Sequence, residues 1–260
     1  MATKPMPIRR KDPAGPAAAE ATKAFAALAS ARDDALLVPE RGLSKRLSPA
    51  ERRAQIVDVT ERLFATHAYS EVSVPDVARA AGITPGLVYH YFPTKEALFL
   101  AAYEVRAREL LLFCEPEPSL PFEEQVHRGV RGYLDFVEAH GQAYLNLFHG
   151  PAVAEEGFVL VCEMTRELMV DRFVGGLGAR DPSKYPALRL ALRGYIGYSE
   201  SVVLAWLEKR QVTRAVLETM LLSGILAAVR VGLASEPSPP MSPEEAKKLV
   251  GRYRRRFSLP

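Results

Sequence analysis

Apolar residues recur at helical spacing from about residue 48 onward. Ile56, Val59, Thr60, Leu63 and Phe64 fall at i, i+3, i+4, i+7 and i+8, which predicts a helix from about Pro49 to Thr66 with one inward face. Val74, Val77, Ala78 and Ala81 repeat the spacing over two turns, and Val88, Tyr91 and Phe92 form the inward set of a third short helix. Leu98, Ala101, Ala102 and Val105 start a longer stripe that runs toward Phe113. After the proline-rich break at 115–121, Phe122, Val126, Val130, Tyr133, Leu134 and Val137 mark another helix, followed by a short one at QAYLNLF. Further helices are expected near 152–174, 186–209, 213–233 and 243–256. No segment alternates with period two, so the expected fold class is all-α.

Punctuation supports these elements. Ser48, Ser73, Thr84 and Thr94 stand where N-caps belong, Pro49 and Pro85 occupy first helical positions, and Glu51 completes a capping box. Gly82 stops the second helix, and Ile83 alone separates it from the next cap, Thr84. Two short helices joined by a glycine-containing turn form a helix-turn-helix. Three regions follow: an N-terminal arm at 1–47, rich in Pro, Ala and charge with one helix-prone patch; a helix-turn-helix domain at 48–113; and a helical domain at 114–260.

Composition narrows the class without deciding it. Charged residues at 25% and hydrophobic ones at 48% exclude a disordered chain, and no uninterrupted apolar run approaches the roughly 20 residues of a bilayer span. The basic N-terminus has no apolar segment after it, so a cytoplasmic protein with no membrane partner is expected. Cys114 and Cys162 read as free core thiols. Lys and Arg outnumber Asp and Glu 16 to 13 over 1–113 and 6 to 2 over 241–260, but are outnumbered 12 to 16 between. That asymmetry suits an anionic partner for the first part.

The third helix leaves Gly86, Leu87, Tyr89 and His90 outward. Tyr and His offer hydrogen-bonding tips, Leu87 can meet a thymine methyl group, and Gly86 permits close approach to a phosphate or base edge. Lys95 and the hydroxyls of Ser73 and Thr84 are placed for phosphates. Packing of Tyr89 and His90 on the next helix or the second domain is the competing explanation. Arg41, Lys45 and Arg46 precede the first helix and suit either a minor-groove arm or a solvated linker.

The segment Ser73-Val74-Pro75-Asp76-Val77-Ala78, then Ala81 to Phe92, then Lys95-Glu96-Ala97-Leu98, resembles the DNA-binding domain of the tetracycline-repressor (TetR) family of bacterial transcription regulators. The resemblance covers about a quarter of the chain at motif level. It implies that Ser73 binds a phosphate, that Thr84, Pro85 and Gly86 stand where the recognition helix enters the major groove, that Tyr89, His90 and Tyr91 line the DNA with Leu87 and His90 reading bases, and that Lys95 takes a phosphate. Pro85 and Leu87 depart from the basic or polar and the Thr or Ser residues common there, which favours apolar readout. Ala68 stands in place of a frequent glycine.

The same resemblance implies a homodimer on double-stranded operator DNA, paired through the helices at 187–209 and 212–233, that acts as a repressor or, alternatively, as an activator or a regulator controlled by a protein partner. Leu188, Leu192, Tyr195, Trp206, Met220, Ser223, Gly224 and Ala227 suit such a seam, and core packing explains them nearly as well. It also implies a small hydrophobic or amphipathic effector in a cavity of the C-terminal domain. Phe136, Tyr144, Phe148, Phe158, Met164, Met169, Phe173 and Tyr198 supply a lining that equally suits core, and Glu163 and Glu200 sit in apolar surroundings where a buried carboxylate needs a partner. No HExxH, GxSxG, P-loop or GxGxxG is present and the five histidines lack a metal spacing, so neither an enzyme nor a cofactor is expected. The basic GRYRRRF near the C-terminus suits either an anionic partner or a solvated helix face.

Overall fold

A computed structural model of the chain describes residues 47–149 and 156–257, and the regular elements among them are all helical. They are α1 (Pro49–Phe64), α2 (Val74–Ala81), α3 (Pro85–Tyr91), α4 (Lys95–Phe113), α5 (Phe122–Ala139), α6 (Gly141–His149), α7 (Glu156–Gly176), a 3₁₀ turn (Pro182–Lys184), α8 (Pro186–Lys209), α9 (Arg214–Ser235) and α10 (Pro243–Arg256). Arg41, Lys45, Arg46 and all but the last residue of the expected arm lie outside the described residues.

The caps form as the sequence predicts. Ser48 Oγ accepts from Glu51 N at 3.3 Å while Ser48 N donates to Glu51 Oε2 at 2.7 Å. Thr84 and Thr94 accept from Leu87 N and Ala97 N at 3.3 and 3.1 Å. Each such cap contributes about 1 kcal/mol. Gly82 closes α2 with φ +67°, a left-handed conformation that a β-carbon would strain. The first helix ends two residues earlier than expected: Thr66 N turns back to Leu63 O at 3.1 Å and the Thr66 hydroxyl donates to the same carbonyl, tightening the last turn.

Ile56, Val77, Val88 and Leu98 form the centre of the α1–α4 core, each at most 2% exposed. Ala102 is the last α4 residue in that core. On the adjoining face Phe99 and Tyr103 meet Phe158 of α7, and further along Ala107 and Leu111 meet Val161. α4 therefore belongs to two cores on successive faces. Val105, expected on the inward stripe, is 40% exposed because α4 has by then passed the three-helix core.

The second core is built on Leu134, Val137, Leu188, Leu192, Leu217, Leu221 and Ile225, with Tyr253 of α10 sealing one end. Gly132 brings α5 against the end of α4 so closely that a β-carbon there would stand 2.0 Å from the Phe113 carbonyl oxygen. α8 and α9 form the most extensive helix pair. α9 is long and apolar enough to cross a bilayer, with a mean hydropathy of 1.7, although the sequence reading found no apolar run approaching that length. Glu218 and Arg230 interrupt the run, and the buried side of α9 packs on α8 and α5 as a core helix does.

Ion pairs account for half of the C-terminal basic run: Arg252 Nε donates to Glu123 at 2.8 Å and Arg256 Nε to Glu124 at 2.7 Å, both on α5. Arg254 and Arg255 face solvent. Among the described residues both cysteines are buried and free, and burial pushes the thiols of Cys114 and Cys162 up to about 12 and 11.

Candidate nucleic-acid interface and internal cavity

The outer face of α3 is built by default: Val88 and Phe92, 0% and 3% exposed, take the core side, so the intervening residues have nowhere to turn but outward. Tyr89 is 48% exposed and His90 is exposed, its ring edge-on to Tyr91 at 5.3 Å. Neither packs on α4 or the second core. Leu87 and Tyr91 are partly covered. Thr84, Pro85 and Gly86 are exposed, and a β-carbon on Gly86 would meet nothing within 4 Å. Thr84 Oγ1 is engaged only as an acceptor, which leaves its hydroxyl hydrogen to donate outward.

Two of the expected phosphate groups are partly committed. The Ser73 hydroxyl accepts from Asp76 N and donates to Asp76 Oδ2, which together with Arg79 holds that carboxyl below its usual range. Lys95 Nζ donates to the Tyr69 carbonyl at 2.5 Å and lies 4.1 Å from the centre of the Tyr69 ring. Partial burial lowers its pKa, and two of its N–H groups remain. Lys95 is thus positioned by the loop after α1, which the sequence reading missed.

Behind this surface lies a cavity of about 100 Å³ between the two cores. α1 supplies Glu61 and Phe64, α4 supplies Phe99, Tyr103, Arg106 and Leu110, and α5 supplies Phe136. His140, then Tyr144 and Phe148 of α6, Cys162 and Arg166 of α7 and Glu200 of α8 complete the wall. Of the ten expected cavity residues, Phe136, Tyr144, Phe148 and Glu200 are there, while Met169 and Phe173 pack on the second core. Phe158 stands one layer back, against Tyr103 and Phe148. Met164 packs beside Ala107 and Leu111, Glu163 pairs with Arg166 and Arg193, and Tyr198 is 39% exposed on α8. Helices that are apolar on several sides hide which side faces the hole.

The dimer-seam expectation divides in the same way. Leu188, Leu192, Tyr195 and Trp206 lie in the subunit's own core, whereas Met220 and Ala227 are exposed and Gly224 is partly covered by Tyr195 and Tyr198. Leu190, Val216 and Val231, at 74%, 46% and 55%, extend the exposed apolar face of α8 and α9.

Glu61 is the cavity's anomaly. Its side chain is 9% exposed, and burial, opposed by Arg106, raises its pKa from 4.5 to about 7. The folded state therefore binds the extra proton between those values, and stability falls as pH rises through that window. Glu61→Gln removes the penalty. Its stabilising effect should be about 2 kcal/mol larger at pH 8 than at pH 5, after discounting for solvent access, as read from urea midpoints. Equal effects at both pH values would show that Glu61 titrates normally.

Both halves of the chain match family models. The model for bacterial regulatory proteins of the tetR family covers residues 56–102, and that for the tetracyclin repressor-like C-terminal domain covers 122–228. A tetR-family transcriptional regulator from Streptomyces coelicolor, known as a crystal structure, is 32% identical, with a TM-score of 0.67 over 80% of this chain and 90% of that one. The chain belongs to the TetR family of bacterial transcriptional regulators. Two further relatives are the HTH-type transcriptional regulator YhgD of Bacillus subtilis, 29% identical over 45% of this chain, and EthR of Mycolicibacterium smegmatis, 32% identical over 39%. The matches span 61% and 48% of those two proteins. In this TetR-family chain the helix-turn-helix is α2–α3, and α4 joins it to the cavity.

Proposed function

We propose that the protein is a cytoplasmic, homodimeric repressor that binds operator DNA through α2 and α3 and releases it when a small amphipathic molecule enters the cavity. Residues 48–113 serve as the DNA-binding unit and 114–260 as the effector and dimerisation unit, with α4 common to both. The observation that carries this reading is the wall of the cavity: Glu61 and Phe64 of α1 and Phe99 to Leu110 of α4 belong to helices that also carry α2 and α3. A molecule that widens the hole must move them. Tyr89, His90 and Leu87 read base edges, while Thr84, Lys95 and Ser73 hold the backbone.

Pairing through the exposed side of α8 and α9 sets two α3 helices on successive major grooves, whose half-sites lie about 34–36 Å apart. Tyr198, Met220, Gly224, Ala227 and Val231 supply the apolar surface for it.

Gel shifts on the intergenic DNA beside the protein's own gene test the reading, with Gly86→Ala as the diagnostic variant. Nothing inside the protein opposes that methyl group, and alanine favours the helix by up to about 1 kcal/mol. The variant should therefore keep or gain thermal stability while losing about tenfold in operator affinity. Unchanged affinity would mean that α3 does not approach DNA at this point.

A further inference from the structure

The polar groups of the cavity are unevenly matched, and the mismatch concerns the chemistry of the effector; the inference rests on the effector reading above. At one side Arg166 is closed off: Nε and Nη2 donate to the two oxygens of Glu200 at 2.8 and 2.7 Å, and Nη1 donates to Glu163 at 2.6 Å. At the other side two carboxylates share one guanidinium. Arg106 Nη1 donates to Glu109 Oε2, and His140 Nε2 lies 3.1 Å from Glu109 Oε1. Glu61 receives what is left. Arg106 Nε stands 3.3 Å from Glu61 Oε1, yet no N–H is aligned on that oxygen, which is buried without a hydrogen-bond partner. The neighbouring wall is apolar, Phe64 and Leu110 among it. This end of the cavity lacks one donor, and its two carboxylates, Glu61 and Glu109, have the single guanidinium of Arg106 between them.

We propose that the effector is an amphipathic amine, whose protonated nitrogen donates to Glu61 while its apolar body lies among Phe99, Phe136 and Phe148. A carboxylate-headed ligand would set a second anion beside Glu61, where both guanidinium groups are already engaged. A neutral alcohol supplies a donor without the charge. Glu61 stands on α1, one turn before Phe64, whose carbonyl accepts from Asn146 of α6 at 3.5 Å. The amine is therefore held by a helix of the DNA-binding unit itself, so occupancy acts on α1 without an intermediary. The ionisable groups around Glu61 are Asp58 on α1, Arg106 and Glu109 on α4, His140 after α5, and Arg166 and Glu200 across the cavity. Raising the pH from 6 to 8 ionises Glu61, and the amine stays protonated throughout.

The test compares three probes of one chain length, octylamine, octan-1-ol and octanoate, by titration calorimetry on the full-length protein. At pH 8 octylamine should bind about tenfold or more tightly than either of the others, since a charge-assisted hydrogen bond to a buried carboxylate is the strong kind. The preference should shrink at pH 6. Glu61→Gln should bring octylamine to the affinity of octan-1-ol and leave octan-1-ol unchanged, and the wild-type pH series decides the matter independently if the variant folds poorly. Octanoate binding as tightly as octylamine, or an amine preference that survives Glu61→Gln with no pH dependence, would overturn the head-group assignment and leave the effector cavity standing. Failure of all three probes to bind would overturn both.

Discussion

Gly132→Ala should lower the stability of the protein by about 3 kcal/mol, a fall in Tm of roughly 6–12 °C for a chain of this size. The added methyl carbon would stand 2.0 Å from the Phe113 carbonyl oxygen and 2.8 Å from its carbonyl carbon, both backbone atoms that no rotamer change can move aside. Either α5 or the end of α4 must shift, and the gain of about 1 kcal/mol from alanine's helix propensity offsets only part of the cost. Gly129, one turn earlier on α5, provides the control, because a β-carbon there meets nothing within 4 Å. Gly129→Ala should be neutral or mildly stabilising. Thermal unfolding of the two variants side by side checks the claim, and equal Tm values would refute it. The contact has a functional side as well, since Phe113 ends the helix that carries motion from cavity to DNA in the proposed mechanism.

The second large effect concerns DNA. Replacing Tyr89 and His90 together by alanine should reduce operator affinity about 100-fold or more, at roughly 1–3 kcal/mol for each lost base contact. Both side chains are exposed and neither supports the core, so Tm should hold. The slope of log affinity against log salt should also hold, because contacts to base edges release no counterions. A flattened slope would instead place His90 on a phosphate. A fall in Tm without a loss of affinity would place both rings in the scaffold.

The elements were legible where local chemistry is sharp. Ser48, Ser73, Thr84 and Thr94 all accept from the backbone of their helices, and α8 and α10 begin and end at the expected residues. What the sequence hid is rotation. α8 and α9 are apolar most of the way round, so periodicity cannot tell Tyr195, which is buried, from Tyr198, which is not. The cavity was half hidden because its wall joins helices far apart in sequence. Glu61 in particular sits between Asp58 and Arg62, which form an ordinary exposed ion pair on the same helix, and nothing local separates it from them. The spacing of Phe99, Tyr103, Arg106 and Leu110 on α4 was the available clue, a second stripe beside the one that was read.

The outward side of α9 carries a cost when the chain is alone. Val216, Met220, Ala227 and Val231 stand in water along a helix whose other side is already spent on the core. With a second copy as the proposed cover, the stability of each chain becomes a function of how many copies exist, since whatever binds only the folded form stabilises it by mass action. Dilution then removes folded protein and operator occupancy together. Below the concentration at which copies pair, folded protein and DNA occupancy would fall more steeply than in proportion to the amount of regulator present.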